Sequence, residues 1–194
     1  MQSNTTGTYN TAMGVGALTS NTTGSYNSSF GANALPLSTG EYNTALGARA
    51  LGSNTTANSN TALGHQAMYN NITGSSNVVV GYQASYSNTT GDVNTFVGRY
   101  AGYSNTTGTL NTAVGQSALY TNSTGARNTA VGRSALQNST TAGDNTGIGF
   151  GASNAITTGA YNTSLGSYAL YSNTTAENNT AVGYQAAYSN TTGY

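Results

Sequence analysis

The sequence predicts an all-β fold, a parallel β-solenoid (β-roll) of about eleven 17-residue coils, and three observations lead there. First, an Asn-x-x-apolar-Gly-x-x-Ala phrase recurs along the chain. It opens at Asn10, Asn27, Asn43, Asn60, Asn77, Asn94, Asn111, Asn128, Asn145, Asn162 and Asn179. Second, nine of the ten intervals are 17 residues and one, Asn27 to Asn43, is 16. That step is too short for a helix pair or a propeller blade, which take roughly 33 to 50 residues. Third, apolar, glycine and alanine residues keep a fixed phase within it. Coils stacked at about 4.8 Å give a rod roughly 50 Å long. The whole chain, 1–194, reads as a single repeat domain with incomplete repeats at both ends.

Each element of the coil has its own physical reason, counted from the opening Asn as position 1. Stacked Asn side chains form amide ladders from coil to coil, and Asn at position 12 (Asn54, Asn71, Asn88, Asn105, Asn122) suits a second one. Position 4 is always apolar, from Met13 and Phe30 to Val182, and reads as the core plug. Glycine at position 5 reads as a corner of positive φ or close backbone approach. Alanine at position 8 marks tight packing, and Leu18, Leu51, Leu119, Leu136 and Leu170 at position 9 add to the core. Position 14 is threonine throughout, from Thr23 to Thr192, with the gap of the short copy placed near Pro36. Position 15 is glycine except at Ala57, Ala142 and Ala176. Triplets such as Thr112-Ala113-Val114 are β-prone, so two or three short strands are expected per coil. So few large apolar side chains per coil imply that coil stacking and burial against other chains stabilise the fold. An oligomer or laterally packed fibre is therefore expected.

Composition narrows the partners. Charged residues make up 4% of the chain, the formal net charge is zero and there is no lysine. Nucleic-acid binding needs a basic face, and a polybasic membrane contact needs the same; neither is expected. Membrane insertion is not expected either, since no apolar run approaches about 18 residues. With no cysteine there is no disulfide framework or thiolate metal site. The opening Met1-Gln2-Ser3-Asn4 lacks signal-peptide features, which implies removal of a targeting segment or release by lysis or within a virion. Both ends stop in mid-repeat without caps, and they are expected to stack on other copies or to continue a longer fibre.

Catalytic chemistry finds no constellation. His65 sits at the variable position 6, and Glu41, Asp92, Asp144 and Glu177 are scattered over many coils at positions 16 and 17. Three coils put Glu41 about 14 Å from Asp92 along the rod, too far for paired carboxylates. Arg49, Arg99, Arg127 and Arg133 read as solvated. No catalytic residue, metal site or cofactor is expected. The Asn-Thr-Thr matches to the glycosylation pattern at Asn4, Asn21, Asn54, Asn88 and Asn105 follow from the turn's own composition. One surplus feature is tyrosine at position 10. Tyr69, Tyr86, Tyr103, Tyr120, Tyr171 and Tyr188 line up as a stripe with rings about 5 Å apart. That stripe is either a self-stacking ladder or a binding and lateral-contact surface.

The stretches Asn111 to Ala118, Asn128 to Ala135 and Asn179 to Ala186 read Asn-Thr-Ala-Val-Gly-x-x-Ala. They resemble the head repeats of trimeric autotransporter adhesins (the YadA-like head) and look like repeats of some bacteriophage tail fibres. The step here is longer, with an added Asn-Thr-Thr-Gly turn. The resemblance implies a β-roll, three chains around one axis and a role in attachment. Together these readings give a non-enzymatic structural or adhesive fibre protein, extracellular or at the cell surface. Its expected partners are copies of itself, end to end or side by side, and a surface glycan or receptor. The alternatives are a tail-fibre shaft on a virion and an ice-binding solenoid. The latter needs an array of outward threonines, which the alternating Thr-Thr of each turn does not supply.

Overall fold

In the computed structural model, residues 2–191 and Gly193 are described. Met1, Tyr194 and Thr192, the last of the position-14 threonines, lie outside the described residues. The fold is a parallel β-solenoid without helices among those residues. Its single sheet contains β1 (Thr11–Met13), β2 (Ser28–Phe30), β3 (Thr44–Leu46), β4 (Thr61–Leu63), β5 (Val78–Val80) and β6 (Thr95–Val97). It continues through β7 (Thr112–Val114), β8 (Thr129–Val131), β9 (Thr146–Ile148), β10 (Thr163–Leu165) and β11 (Thr180–Val182). The strands stack in chain order. They pair in parallel and in register, so that Thr112 faces Thr129 and Val114 faces Val131.

Each coil contains one strand of three residues, at positions 2 to 4, instead of the two or three expected. The remaining positions are turns, yet they are bonded from coil to coil almost as fully as the strand. In the coil that opens at Asn60, Thr61 N–H donates to Asn77 O at 2.8 Å, Gly64 to Leu46 O at 2.8 Å and Gln66 to Ala48 O at 3.0 Å. Further round, Met68 donates to Ala84 O at 2.9 Å, Asn70 to Tyr86 O at 3.1 Å and Ser76 to Asn58 O at 3.0 Å. A ladder that continues around the circumference satisfies the backbone without extended geometry. Period-2 patterning therefore had little length over which to register.

The core also differs from the expectation. Successive strand residues face opposite sides, so position 3 points inward and positions 2 and 4 point out. Ala45 and Ala62 are fully buried, whereas Leu46 and Leu63 next to them are 47% and 39% exposed. The position-4 column is thus an outer apolar ladder and not the core plug. The interior is built from position 3, the alanines of position 8 and the side chains of position 9. These columns trade volume. Most coils pair a small residue at position 3 with Leu at position 9, as in Ala113 with Leu119, while Phe96 fills its coil opposite Gly102. A Cβ on Gly102 would meet the Phe96 ring at 2.7 Å.

The position-5 glycines adopt φ between 125° and 142° in every coil. Three further columns at positive φ carry mostly non-glycine residues. They are position 7 (Gln66 at 55°), position 9 (Leu119 at 54°) and position 17 (Val93 at 56°). Each costs on the order of 1 kcal/mol. The coil-to-coil hydrogen bonds those same residues donate offset the strain, so glycine marks only one of the four columns. The shortened coil also differs from its sequence alignment. Thr39 N–H and Oγ1 both donate to Thr55 O, at 2.7 and 3.2 Å, as those of Thr55 do to Ile72 O. The Gly40 carbonyl accepts Asn27 Nδ2 as the Gly24 carbonyl accepts Asn10 Nδ2. The absent residue is therefore the position-14 threonine, lost between Thr39 and Gly40, and the backbone around Pro36 keeps its register.

Candidate functional site

The opening Asn residues form a continuous inner ladder. Each Oδ1 accepts the backbone N–H of the Asn in the next coil, as from Asn94 to Asn77 Oδ1 at 2.9 Å. From Asn10 to Asn162 each Nδ2 donates across its own coil to the position-15 carbonyl, as from Asn94 to Gly108 O at 2.9 Å, while Asn179 Nδ2 donates to Asn162 Oδ1 and Glu177 O. These amides are buried in all but the first coil; they staple the strand to the opposite turn and so have a structural role. Asn54, Asn71, Asn88, Asn105 and Asn122 at position 12 form a second ladder with amide contacts of 2.7 to 3.0 Å. Asn21, Asn54, Asn88 and Asn105 match the glycosylation pattern but are fully buried in this ladder. Asn4 is exposed and donates to Gly7 O at 2.8 Å. The second ladder breaks where the sequence places Ser38, Ser139 and Ile156. The buried oxygens Asn21 Oδ1, Asn122 Oδ1 and Ser139 Oγ lie at those breaks without partners.

The tyrosine stripe is a stack. Tyr69, Tyr86, Tyr103 and Tyr120 lie 5.2 to 5.4 Å apart between centroids with planes within 15° of parallel. Tyr171 and Tyr188 repeat the arrangement at 5.1 Å. Each ring face inside the stack is covered by the next ring, so edges and hydroxyls face outward. Burial pushes the Tyr103 hydroxyl pKa up, with Tyr120, Tyr86, Tyr100 and Tyr82 adding to the shift. A second stack, Tyr9, Tyr26 and Tyr42 at position 17, has spacings of 5.0 and 4.9 Å. The sequence carries its signal in the shared phase of Tyr9, Tyr26 and Tyr42.

The charged residues stay apart, with one exception. Arg127 and Asp144 occupy the same column in adjacent coils and form a bidentate pair at 2.6 and 2.8 Å. Arg127 is therefore not simply solvated. Hydrogen bonding from Arg127 holds the Asp144 carboxyl below its ordinary pKa and raises that of Arg127. His65 is exposed and stacks on Tyr82 at 5.5 Å. The Arg99 and Arg133 guanidinium groups lie over the Tyr100 and Phe150 rings, 4.7 and 5.6 Å from their centroids. Among the described residues, no three His, Asp or Glu side chains come together, and no helix is long and apolar enough to cross a membrane.

Two surfaces remain. The outer sheet face presents the apolar ladder of position 4 beside a column of threonines at position 2, broken by Ser28 and Val78. On another side, a cavity of about 300 Å³ is lined by Asn33, Pro36, Arg49, Gly52 and Tyr69. Comparisons with family models, with curated proteins and with solved structures returned no match.

Proposed function

We propose that this chain is a non-enzymatic structural rod that associates side by side with copies of itself into an adhesive fibre, outside the cell or on its surface. One observation carries the reading, the apolar ladder along the outer sheet face. It places a Val, Leu, Ile, Met or Phe in every coil, including Leu46 at 47% and Leu165 at 46% exposure. Soluble monomers rarely leave a contiguous apolar patch of that extent uncovered. A face about 50 Å long and three residues, or about 10 Å, wide offers roughly 500 Å². Two such faces bury about 1,000 Å², the lower bound for a specific interface. The partner that fits side chain for side chain must repeat at the same axial step, and a second copy does so by construction. The repeat's resemblance to adhesin heads and tail-fibre repeats favours attachment as the purpose of such a rod, on a cell or on a virion. Variable columns at positions 6, 7, 16 and 17 would supply its recognition surface.

Sedimentation velocity tests this. The wild-type chain is expected to sediment as a multimer, and the combined change Leu46→Lys, Leu63→Lys, Val114→Lys to leave a dispersed, still β-rich monomer. A wild-type chain that stays monomeric at high concentration would overturn the proposal.

Ice binding is the second reading, and the strand geometry favours it more than the turns did. Threonine at position 2 faces outward in most coils, in rows about 4.8 Å apart along the rod and about 6.6 Å from the aliphatic column. A thermal hysteresis measurement separates the two readings, because the same face cannot be covered by a partner and also meet ice.

A further inference from the structure

The position-10 aromatic column has a gap with the shape of a missing ring. Tyr69 stacks on Tyr86 at 5.4 Å by one face. Its other side turns toward the preceding coil, where position 10 is Gly52, and the ring leans over that glycine, 2.5 Å from where a Cβ would stand. A coil further on, the column holds Pro36. Tyr69 and Pro36 are therefore two coils apart, about 10 Å, the separation at which one saturated or aromatic ring fits between them. The cavity of about 300 Å³ occupies this slot, a volume at the lower end for small-ligand sites. Its polar side is formed by Asn33 and Arg49, both from the position-7 column and both exposed. The one salt bridge among the described residues is Arg127 with Asp144, so none of their carboxylates pairs with Arg49.

We infer that this slot binds an acidic pyranose, a sugar ring bearing a carboxylate such as a hexuronic acid residue of a surface polysaccharide. The apolar C–H face of the pyranose stacks on Tyr69, on the side of the ring that turns toward Pro36. Arg49 takes the carboxylate with the paired N–H donors of its guanidinium, and the Asn33 amide reaches the ring hydroxyls. A saccharide suits a site that is mostly polar and open, because only one of its faces needs apolar cover. The site rests on the adhesive part of the function proposed above and names its ligand class, while making no use of the outer sheet face.

The repeat itself supplies well-matched variants. Gln66 occupies the position of Arg49 one coil later at a similar φ, 55° against 59°, so Arg49→Gln keeps the fold. Gly52→Tyr fills the slot with the residue the next four coils carry; its Cβ meets the movable ring of Tyr69 at 2.5 Å, which a small tilt relieves. The experiment is an NMR titration of the whole chain with methyl galacturonoside, with methyl galactoside and benzoate as comparators, and with sedimentation followed in parallel. The expected result is binding of the uronoside at least tenfold tighter than of the galactoside. Arg49→Gln should reduce it to the galactoside level and Gly52→Tyr should abolish it, while Tyr171→Leu leaves it unchanged. Equal binding of the two sugars, uronoside binding indifferent to Arg49→Gln or Gly52→Tyr, or tighter binding of benzoate would overturn the assignment. Loss of the site with unchanged sedimentation leaves the rod reading standing, and dispersed rods that still bind uronoside reverse that outcome.

Discussion

Phe96 and Gly102 show how tightly single residues are coupled in so thin an interior. Phe96 is fully buried in a position-3 column otherwise made of small residues and Val79. Truncating it to Ala leaves a cavity and is expected to cost about 3–5 kcal/mol. Adding Gly102→Leu should recover most of that, because Ala with Leu is the pairing of neighbouring coils and Leu119 already adopts φ 54° where Gly102 has 59°. Denaturant unfolding of the single and double variants checks this, and a double no more stable than Phe96→Ala contradicts it. The broken position-12 ladder offers the opposite case. Asn122 Oδ1 is buried without a donor because the next coil presents Ser139. Ser139→Asn restores the amide contact and is expected to stabilise the rod by about 1 kcal/mol. Slower amide exchange around residues 122 and 139 would register it.

At the level of one coil, the corner glycine and the cross-coil ion pair are the two features with clear tests. A Cβ on Gly115, at φ 136°, meets the Gly132 carbonyl of the next coil at 2.6 Å. Gly115→Ala therefore combines backbone strain of about 1–3 kcal/mol with a steric conflict that backbone alone can relieve. A Cβ on Gly91 also meets a carbonyl of the next coil, that of Gly108 at 2.5 Å, but Gly91 is not at positive φ and its column already carries Ala57, Ala142 and Ala176, so Gly91→Ala should lose less stability. Comparing the melting temperatures of the two variants decides the point. The Arg127–Asp144 pair joins successive coils at position 17. Its depressed Asp144 pKa means that the contribution is present above the unfolded carboxylate value of about 3.9 and is lost as pH falls through the lower folded value. An NMR titration of the Asp144 carboxyl should show a midpoint below that value, and Arg127→Gln should return it there. An unshifted midpoint in the wild-type chain would remove the pair from consideration.

For the whole molecule, the consequence of sequential stacking is near-additivity. Every strand pairs only with the strands before and after it, so stability sums over coils and their interfaces. Excising Asn94–Leu110, one full coil, joins Val93 to Asn111 in phase and should leave a folded rod shorter by about 4.8 Å. Removing only residues 94–102 breaks the phase of every column and should unfold the segment that follows. Small-angle scattering and circular dichroism distinguish these outcomes.

The period, the eleven coils, both asparagine ladders, the alanine and leucine interior and the tyrosine stack at position 10 were legible in the sequence, because identical residues at constant spacing must meet when coils stack. Three things were decided only in three dimensions. The apolar residues of position 4 face outward, since a three-residue strand has one inward position and two outward ones, and hydrophobicity alone does not tell which side water occupies. The positive-φ columns at positions 7, 9 and 17 carry ordinary residues, since hydrogen bonds to adjacent coils offset a strain that composition never displays. The slot beside Gly52 exists because an absent ring two coils from Pro36 becomes a cavity only when the coils are stacked around it.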